Sequence, residues 1–239
     1  MTASVIETND GPMPVLIGRP QGTPRGAVVV IQEAFGLTGH IASVCDRLAD
    51  AGWFALAPCI YHRTGNATFD YADLPPALEV MNLLNPGDLR TDLDASYAYL
   101  DGEGFGADRT AIVGFCMGGA IAMWEGTRER VATSVTWYGG GVAKGRFGLP
   151  PLIELAPELD RPWLGLYGDL DHSIETADVV RLGEAATTAS VPAELVRYAD
   201  AGHGFNCDDR ADHYQPRAAA DAWARMLAWF ERYVGRESS

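Results

Sequence analysis

Gly114-Phe115-Cys116-Met117-Gly118 decides the fold, because it lies directly between the apolar run Thr110–Val113 and the small-residue run Gly119–Met123. A nucleophile with a glycine two residues to either side is typical of a sharp turn from a strand into a helix, here with cysteine in the usual serine position. The turn strains its central residue, and a Cβ at either glycine would collide with the neighbouring strand or helix. Taken alone, the pentapeptide fits an inert cysteine in an ordinary packing turn as well as it fits a catalytic one. The rest of the chain must decide between these two interpretations.

Composition describes a globular, acidic chain. Its 239 residues predict a single domain over residues 1–239, near the upper size for one core. The hydrophobic share of 47% and the charged share of 21% are those of a folded protein and not of a disordered one. A formal net charge of −14 argues against nucleic acid or an anionic membrane as a partner.

The expected compartment is the cytoplasm. Residues 1–10 lack the basic and apolar regions of a secretory signal, and no apolar stretch approaches membrane-spanning length. The cysteines are too few and too scattered for a disulfide framework, and neither they nor the histidines have zinc-ligand spacing: Cys45, Cys59, Cys116, Cys207. We expect a reduced monomer or small homo-oligomer without a metal or cofactor.

Apolar runs alternate with amphipathic stretches, which predicts an α/β fold with a mostly parallel central sheet and helices on both faces. The predicted strands are Gly26–Ile31, Trp53–Ala57, Thr110–Val113, Ala132–Trp137, Trp163–Tyr167 and Glu194–Tyr198, with Pro14–Gly18 as a candidate antiparallel edge strand. The predicted helices are Ile41–Ala51, Leu89–Leu100, Met117–Gly126, Ile174–Ala189 and Pro216–Val234. Two predicted long loops follow strand ends, where ligands bind in such folds: Tyr61–Pro76 and Gly139–Pro157.

A cysteine nucleophile needs a base, and the base needs an orienting acid. In folds with this turn the three follow in the order nucleophile, acid, histidine, each after a later strand. His203, between Gly202 and Gly204, follows the last predicted strand and is the predicted base. Asp169 and Asp171 both follow the preceding strand. Position directly after the strand favours Asp169, whereas reach toward the histidine loop favours Asp171, which we choose.

The loop after Val28–Ile31 is the second candidate part of the site. Residues 32–37, Gln-Glu-Ala-Phe-Gly-Leu, lead from this strand into a helix. A loop at this place donates one N–H of an oxyanion hole, here from Ala34 alongside Met117. Glu33 would then lie at the mouth of the site, although a lone glutamate at a helix entry is more commonly a surface residue.

Five motifs in this order make the chain resemble the dienelactone hydrolase family, from about the first strand to the last helix: Gln32-Glu33-x-Phe-Gly, Gly114-Phe-Cys-Met-Gly-Gly119, Tyr138-Gly139, Gly168-x-x-Asp171 and Ala201-Gly-His-Gly-Phe205. The resemblance implies an α/β-hydrolase fold and a carboxymethylenebutenolidase-like hydrolase, as in aromatic degradation, that cleaves carboxylic esters or lactones through a thioester acyl-enzyme. The implied triad is Cys116, Asp171 and His203. It also implies that Glu33 interacts with the resting thiol and helps to form the thiolate. The motif aromatics are predicted to line the substrate pocket: Phe35, Tyr138, Phe205.

The chain differs from the muconate-pathway members of that family at the positions of their substrate-binding arginines. Those enzymes bind the substrate carboxylate through an arginine four residues after the histidine, where this chain has Cys207, and their second arginine region holds only Arg63. A neutral ester or lactone is therefore the expected small-molecule substrate. An arginine from elsewhere would overturn this expectation, and the candidates are Arg63, Arg90, Arg210 and Arg217.

Two alternatives stay open at the level of sequence. The same fold can support another acyl hydrolysis, such as that of a thioester or a carbamate. A non-catalytic ligand-binding relative is a different class, and loss of a triad residue would indicate it. No triad residue is lost here.

Overall fold

The computed structural model describes residues 1–235 and contains one eight-stranded sheet; residues 236–239 of the predicted domain lie outside the described residues. The strands are β1 Thr2–Thr8, β2 Gly11–Gly18, β3 Ala27–Ile31, β4 Phe54–Pro58, β5 Thr110–Phe115, β6 Thr133–Trp137, β7 Trp163–Gly168 and β8 Ala193–Tyr198. The α-helices are α1 Gly39–Asp50, α2 Leu74–Met81, α3 Pro86–Gly102, α4 Met117–Glu125, α5 Leu152–Leu155, α6 Thr176–Ala186 and α7 Pro216–Tyr233.

The sheet is mostly parallel, which confirms the predicted α/β-hydrolase fold class. The strand order is β1-β2-β4-β3-β5-β6-β7-β8, and only the β1–β2 and β2–β4 pairs are antiparallel. Strand β5 is central, with Ile31 of β3 opposite Gly114 on one side and Trp137 of β6 opposite Phe115 on the other. The loops after β3, β5, β6, β7 and β8 therefore meet at one edge of the sheet.

Helices cover both faces of the sheet. Residues of α3, α4 and α6 join one buried apolar cluster, and residues of α1 and α7 join the other. Strands β3, β4 and β5 are buried along their whole length, as expected for parallel strands packed on both faces. This two-sided packing fixes the central strands, and so the loops that follow them are held at defined positions.

Three elements differ from the prediction, and one of them is helix α5, Leu152–Leu155, which lies inside the predicted loop Gly139–Pro157. Pro14–Gly18 belongs to β2, which lies inside the sheet, because the polar segment Thr2–Thr8 pairs with it as the true edge strand. Helix α2 begins inside the predicted loop Tyr61–Pro76. Its two prolines, Pro75 and Pro76, occupy the first turn, where a missing N–H costs no helical hydrogen bond.

Candidate active site

Cys116 lies at the turn between β5 and α4 with φ of 55° and ψ of −114°. This positive φ is strained for a residue with a side chain. A Cβ on Gly114 would lie 1.8 Å from the carbonyl oxygen of Gly118, and one on Gly118 would lie 2.4 Å from that of Ile31. The flanking glycines are therefore required by the packing of the turn. Cys116 itself is half-buried and lines the cavity described below.

The loops after β7 and β8 bring an imidazole and a carboxylate together. His203 Nδ1 lies 2.7 Å from Asp171 Oδ2, so Nδ1–H donates to the carboxylate and Nε2 is left free. The other oxygen of Asp171 accepts from Ser173, from its N–H at 2.8 Å and its hydroxyl at 2.7 Å. Asp169 instead pairs with Arg197 of β8, at 2.7 Å. The structure thus brings Asp171 to His203, and Asp169 is turned away.

Burial and neighbouring charges shift the pKa values of both Asp171 and His203. Burial raises the pKa of Asp171, but the hydrogen bonds and charge of His203 and those of Ser173 outweigh it and hold the pKa below its usual range. Burial lowers the pKa of His203, yet the negative charge of a Cys116 thiolate and the Asp171 hydrogen bond raise it overall to about 10. Both influences therefore favour the charged, imidazolium form of His203.

Glu33 is buried beside this group. Its Oε1 lies 3.5 Å from the hydroxyl of Tyr138, whose ring centroid is 5.1 Å from that of His203. Within residues 1–235, Glu33 Oε2 is buried without a hydrogen-bond partner, and Glu33 makes no hydrogen bond to Cys116. Glu33 and Cys116 nonetheless line the same cavity.

Two residues that line the cavity have backbone N–H groups without a protein acceptor in the described part of the chain. Met117 is the first residue of α4, so its N–H has no partner inside the helix. Ala34 lies in the turn after β3, and both residues line the cavity. The hydroxyl of Tyr61 lies 3.0 Å from the Ala34 carbonyl oxygen and 3.4 Å from the Met117 sulfur. Tyr61, which the sequence did not single out, therefore ties the two segments together.

The cavity has a volume of about 580 Å³, and Phe35 lies on its wall as predicted. The expectation that Tyr138 and Phe205 also line it is wrong. Both side chains are fully buried behind the wall, where they pack against each other with ring centroids 5.4 Å apart. Both belong to the buried apolar cluster on the face of the sheet covered by α1 and α7, and the Tyr138 ring centroid lies 5.1 Å from that of the His203 ring.

The cations of the cavity also differ from expectation. Of the four candidate arginines only Arg210 lines the cavity, together with Arg146, which the sequence did not suggest. Arg63 instead pairs with Asp92 at 2.8 Å. Three carboxylates line the same cavity and offset the two arginines: Glu33, Asp200 and Asp212. The lining as a whole has no excess of positive charge, so the preference for a neutral substrate stays a prediction.

Arg210 is held by a histidine that sequence reasoning passed over. Its Nη2 lies 2.8 Å from His213 Nε2, and His213 Nδ1 lies 2.9 Å from the His203 carbonyl oxygen. Since a guanidinium only donates, His213 accepts at Nε2 and donates from Nδ1. No motif signals His213 or Tyr61. Ser173 could have been found, because a serine two residues after an aspartate is typical of an Asx turn.

Neither a metal centre nor a membrane span is found in the part of the chain that the structure describes. Residues 1–235 contain no group of three or more His, Cys, Asp or Glu side chains arranged to hold a metal ion. None of their helices combines the length and the apolar character needed to cross a membrane.

Iodoacetamide is expected to modify Cys116 before the other thiols. Cys45, Cys59 and Cys207 are at most 2% exposed, and burial raises the pKa of Cys45 and of Cys207 to about 12. The thiolate is the nucleophile, so these thiols should react slowly, whereas Cys116 opens on the cavity beside an imidazolium. Peptide mass spectrometry after limited labelling at neutral pH measures the order. Earlier labelling of any of the other three would contradict it.

Comparison with known proteins identifies the family to which the chain is similar. The model of the dienelactone hydrolase family matches residues 13–234. A protein of Escherichia coli O157:H7 that is provisionally named carboxymethylenebutenolidase is 37% identical over 95% of this chain and 84% of its own. The carboxymethylenebutenolidase of Rhodococcus opacus is 27% identical over 93% of this chain and 87% of its own. The crystal structure of a provisionally named dienelactone hydrolase from Klebsiella pneumoniae superposes with a TM-score of 0.87 at 35% identity, covering 97% of this chain and 98% of that one.

Proposed function

Because the chain belongs to the dienelactone hydrolase family, we propose that it hydrolyses a carboxylic ester or lactone through a Cys116–His203–Asp171 triad. The observation that carries the proposal is the 2.7 Å bond between His203 and Asp171, in the same cavity as a cysteine on a strained strand-to-helix turn. Acyl transfer requires a nucleophile, a base and an orienting acid, and these follow strands β5, β8 and β7 respectively.

Acylation begins with the Cys116 thiolate. Its Sγ forms a bond to the carbonyl carbon, and the carbonyl electron pair moves onto oxygen. The N–H groups of Ala34 and Met117 are the donors that we assign to this oxyanion, since neither has another acceptor in the described chain. When the carbonyl reforms, the C–O bond breaks and His203 Nε2 gives its proton to the leaving alkoxide. In a lactone the alkoxide remains attached to the acyl chain.

Deacylation reverses the direction of proton transfer. His203, now neutral, takes a proton from water as the water oxygen attacks the thioester carbon. The same two N–H groups hold the second oxyanion, and collapse breaks the Sγ–C bond. This step releases the carboxylic acid and returns the thiolate–imidazolium pair.

We assign Glu33 the task of receiving the thiol proton when substrate binds and of returning it to the Cys116 thiolate when the product leaves. Its buried carboxylate, with one oxygen that has no hydrogen-bond partner within residues 1–235, and its place on the cavity wall support this assignment. Formation of the reactive thiolate would then be coupled to substrate binding, which limits stray oxidation of the thiol.

A panel of small chromogenic esters and lactones tests the proposal. Hydrolysis that disappears in proportion to the labelling of Cys116 by iodoacetamide supports a thiolate nucleophile. No turnover of any ester or lactone would indicate the ligand-binding alternative. Turnover that survives complete labelling of Cys116 would contradict the assigned nucleophile.

Asp171→Asn is expected to reduce kcat/KM by about 10²-fold or more, because an amide donates to His203 Nδ1 and favours the wrong tautomer. The loss should be smaller than the ~10⁴-fold known for a serine triad, because a thiol ionises more readily than a hydroxyl. Asp169→Asn is the matched control. It lies two residues away on the same loop and bonds Arg197 instead, so it should retain most activity. The reverse ranking of the two variants would show that the acid is Asp169.

A further inference from the structure

We propose that the substrate carries an extended apolar acyl group of about six to eight carbons, which lies between α2 and α4. This proposal rests on the proposed function and names the substrate class of the same site. The observations behind it are a continuous apolar wall, a cavity with room for more than a small lactone, and the position of that wall directly beside the nucleophile.

The wall is formed by residues from three distant parts of the chain. Leu78 and Met81 come from α2, Met117 and Ala120 from α4, and Phe147 from the loop after β6; all five line the cavity. Met81, Met117 and Ala120 belong to one buried apolar cluster, and the other two pack against it. The wall is therefore an extension of the hydrophobic core that opens on the thiol, and not a set of scattered apolar residues.

The volume exceeds the needs of a small substrate. A cavity of about 580 Å³ lies within the range of about 300–1,000 Å³ that is typical of sites for ligands of drug size. A small lactone would leave part of that space to water against an apolar wall. Cavities of this size and character usually enclose ligands whose apolar parts cover their walls. An acyl chain of six to eight carbons fills the remainder and removes that wall from water.

The apolar wall adjoins the nucleophile. Met117 and Ala120 follow Cys116 on helix α4, and Met117 is one of the assigned oxyanion donors. His203 must reach the leaving oxygen, so the leaving group lies toward the loops after β7 and β8, whose lining mixes Leu170 and Ile174 with Asp212 and His213. An apolar group on the α4 side is bonded to the carbonyl carbon, which makes it the acyl part of the ester.

Leu74 extends the apolar wall to the mouth of the cavity. Leu74, the first residue of α2, is 46% exposed and lines the cavity. A single exposed leucine is ordinary, and Leu83 just beyond α2 is 65% exposed without lining the cavity. Leu74 differs because it lies at the end of a continuous apolar wall, where it would contact the far end of a long acyl chain.

The first test is a series of p-nitrophenyl esters with acyl groups of two, four, six and eight carbons. Each fully buried methylene should raise kcat/KM about fourfold, so even partial burial should give at least a tenfold rise from two to eight carbons. A flat or falling series overturns the acyl proposal, while thiol-dependent turnover of the short esters leaves the proposed function intact. Loss of turnover across the whole series overturns both. A parallel series of acetate esters with alcohols of increasing length tests whether the apolar wall binds the acyl group or the alcohol. A steeper rise of kcat/KM in the alcohol series than in the acyl series refutes the acyl assignment.

The second test compares Leu78→Asn with Leu83→Asn. Both change a leucine of the same helical region, but only Leu78 lines the cavity. We measure the ratio of kcat/KM for the eight-carbon ester to that for the two-carbon ester, because the fraction of active enzyme cancels in this ratio. Leu78→Asn should lower it at least fivefold, and Leu83→Asn should not change it. If Leu78→Asn does not fold, Leu74→Asn serves in its place. An equal ratio in the lining variant and the control would overturn the proposal.

Discussion

Replacing Cys116 by alanine is expected to abolish ester and lactone hydrolysis while the protein remains folded. In the proposed mechanism the Cys116 thiolate forms the acyl-enzyme, and no other cysteine can replace it, because the other three thiols are at most 2% exposed. Alanine keeps the Cβ that the turn already accepts at φ of 55°, so the substitution adds no backbone strain. Initial rates with a short chromogenic ester and a thermal unfolding curve measure the two parts of this expectation.

Cys207→Ala is the matched control for Cys116→Ala. Cys207 also lies near the site, 3.3 Å from the Tyr71 hydroxyl, but it does not line the cavity. It should therefore retain turnover. The Cys116→Ala variant should also have a lower His203 pKa than about 10, because the thiolate charge that raises it is gone. NMR titration of the imidazole measures this shift. Substantial turnover in Cys116→Ala, or an unchanged His203 pKa, would contradict the thiolate–imidazolium pair.

His203→Ala is expected to reduce kcat by about 10³-fold or more, because one imidazole serves both half-reactions. Without it the leaving alkoxide has no proton donor and water has no base. The effect should appear in the acylation burst and in the steady state alike. His172→Ala is the matched control: this exposed neighbour of Asp171 lines the cavity but bonds to neither triad partner, and its loss should cost at most a few-fold. A larger loss in His172→Ala than in His203→Ala would contradict the assignment.

The effect of His203→Ala on the free energy of unfolding is expected to depend on pH. The pKa of His203 in the folded protein, about 10, is higher than the ordinary value of 6.5. Its charged form therefore stabilises the fold fully below pH 6.5, and this contribution is lost as the pH rises toward 10. The difference in unfolding free energy between the wild type and His203→Ala should be largest near pH 6 and shrink by pH 10. A difference that grows with pH would contradict the raised pKa.

Local sequence predicted the parts of the site that depend on chain order. The glycines around Cys116, the histidine between Gly202 and Gly204, and the strand that precedes each of them are readable because a sharp turn needs particular residues at particular positions. The choice of Asp171 over Asp169 was open on position alone. It is the pairing of Asp169 with Arg197, on the neighbouring strand β8, that leaves Asp171 to face His203.

Helix α2 shows where local patterns mislead. Pro75 and Pro76 suggested a loop, although both are compatible with the first turn of a helix. Whether such a segment becomes helical depends on what its apolar face can pack against. Here Ala77 and Met81 are buried against the core, and that contact is invisible in the segment itself.

The sequence by itself determined the fold class, the nucleophilic turn and the order of the triad residues, because each follows from short-range periodicity and turn chemistry. Only the tertiary structure decided which side chains line the cavity. Tyr138 and Phe205 point into the core, while Leu78, Phe147 and Arg210 converge on the thiol from segments far apart in the chain. The physical reason is that a cavity wall is made by long-range packing: the face that each residue presents depends on how distant helices and loops pack, and no local pattern encodes this.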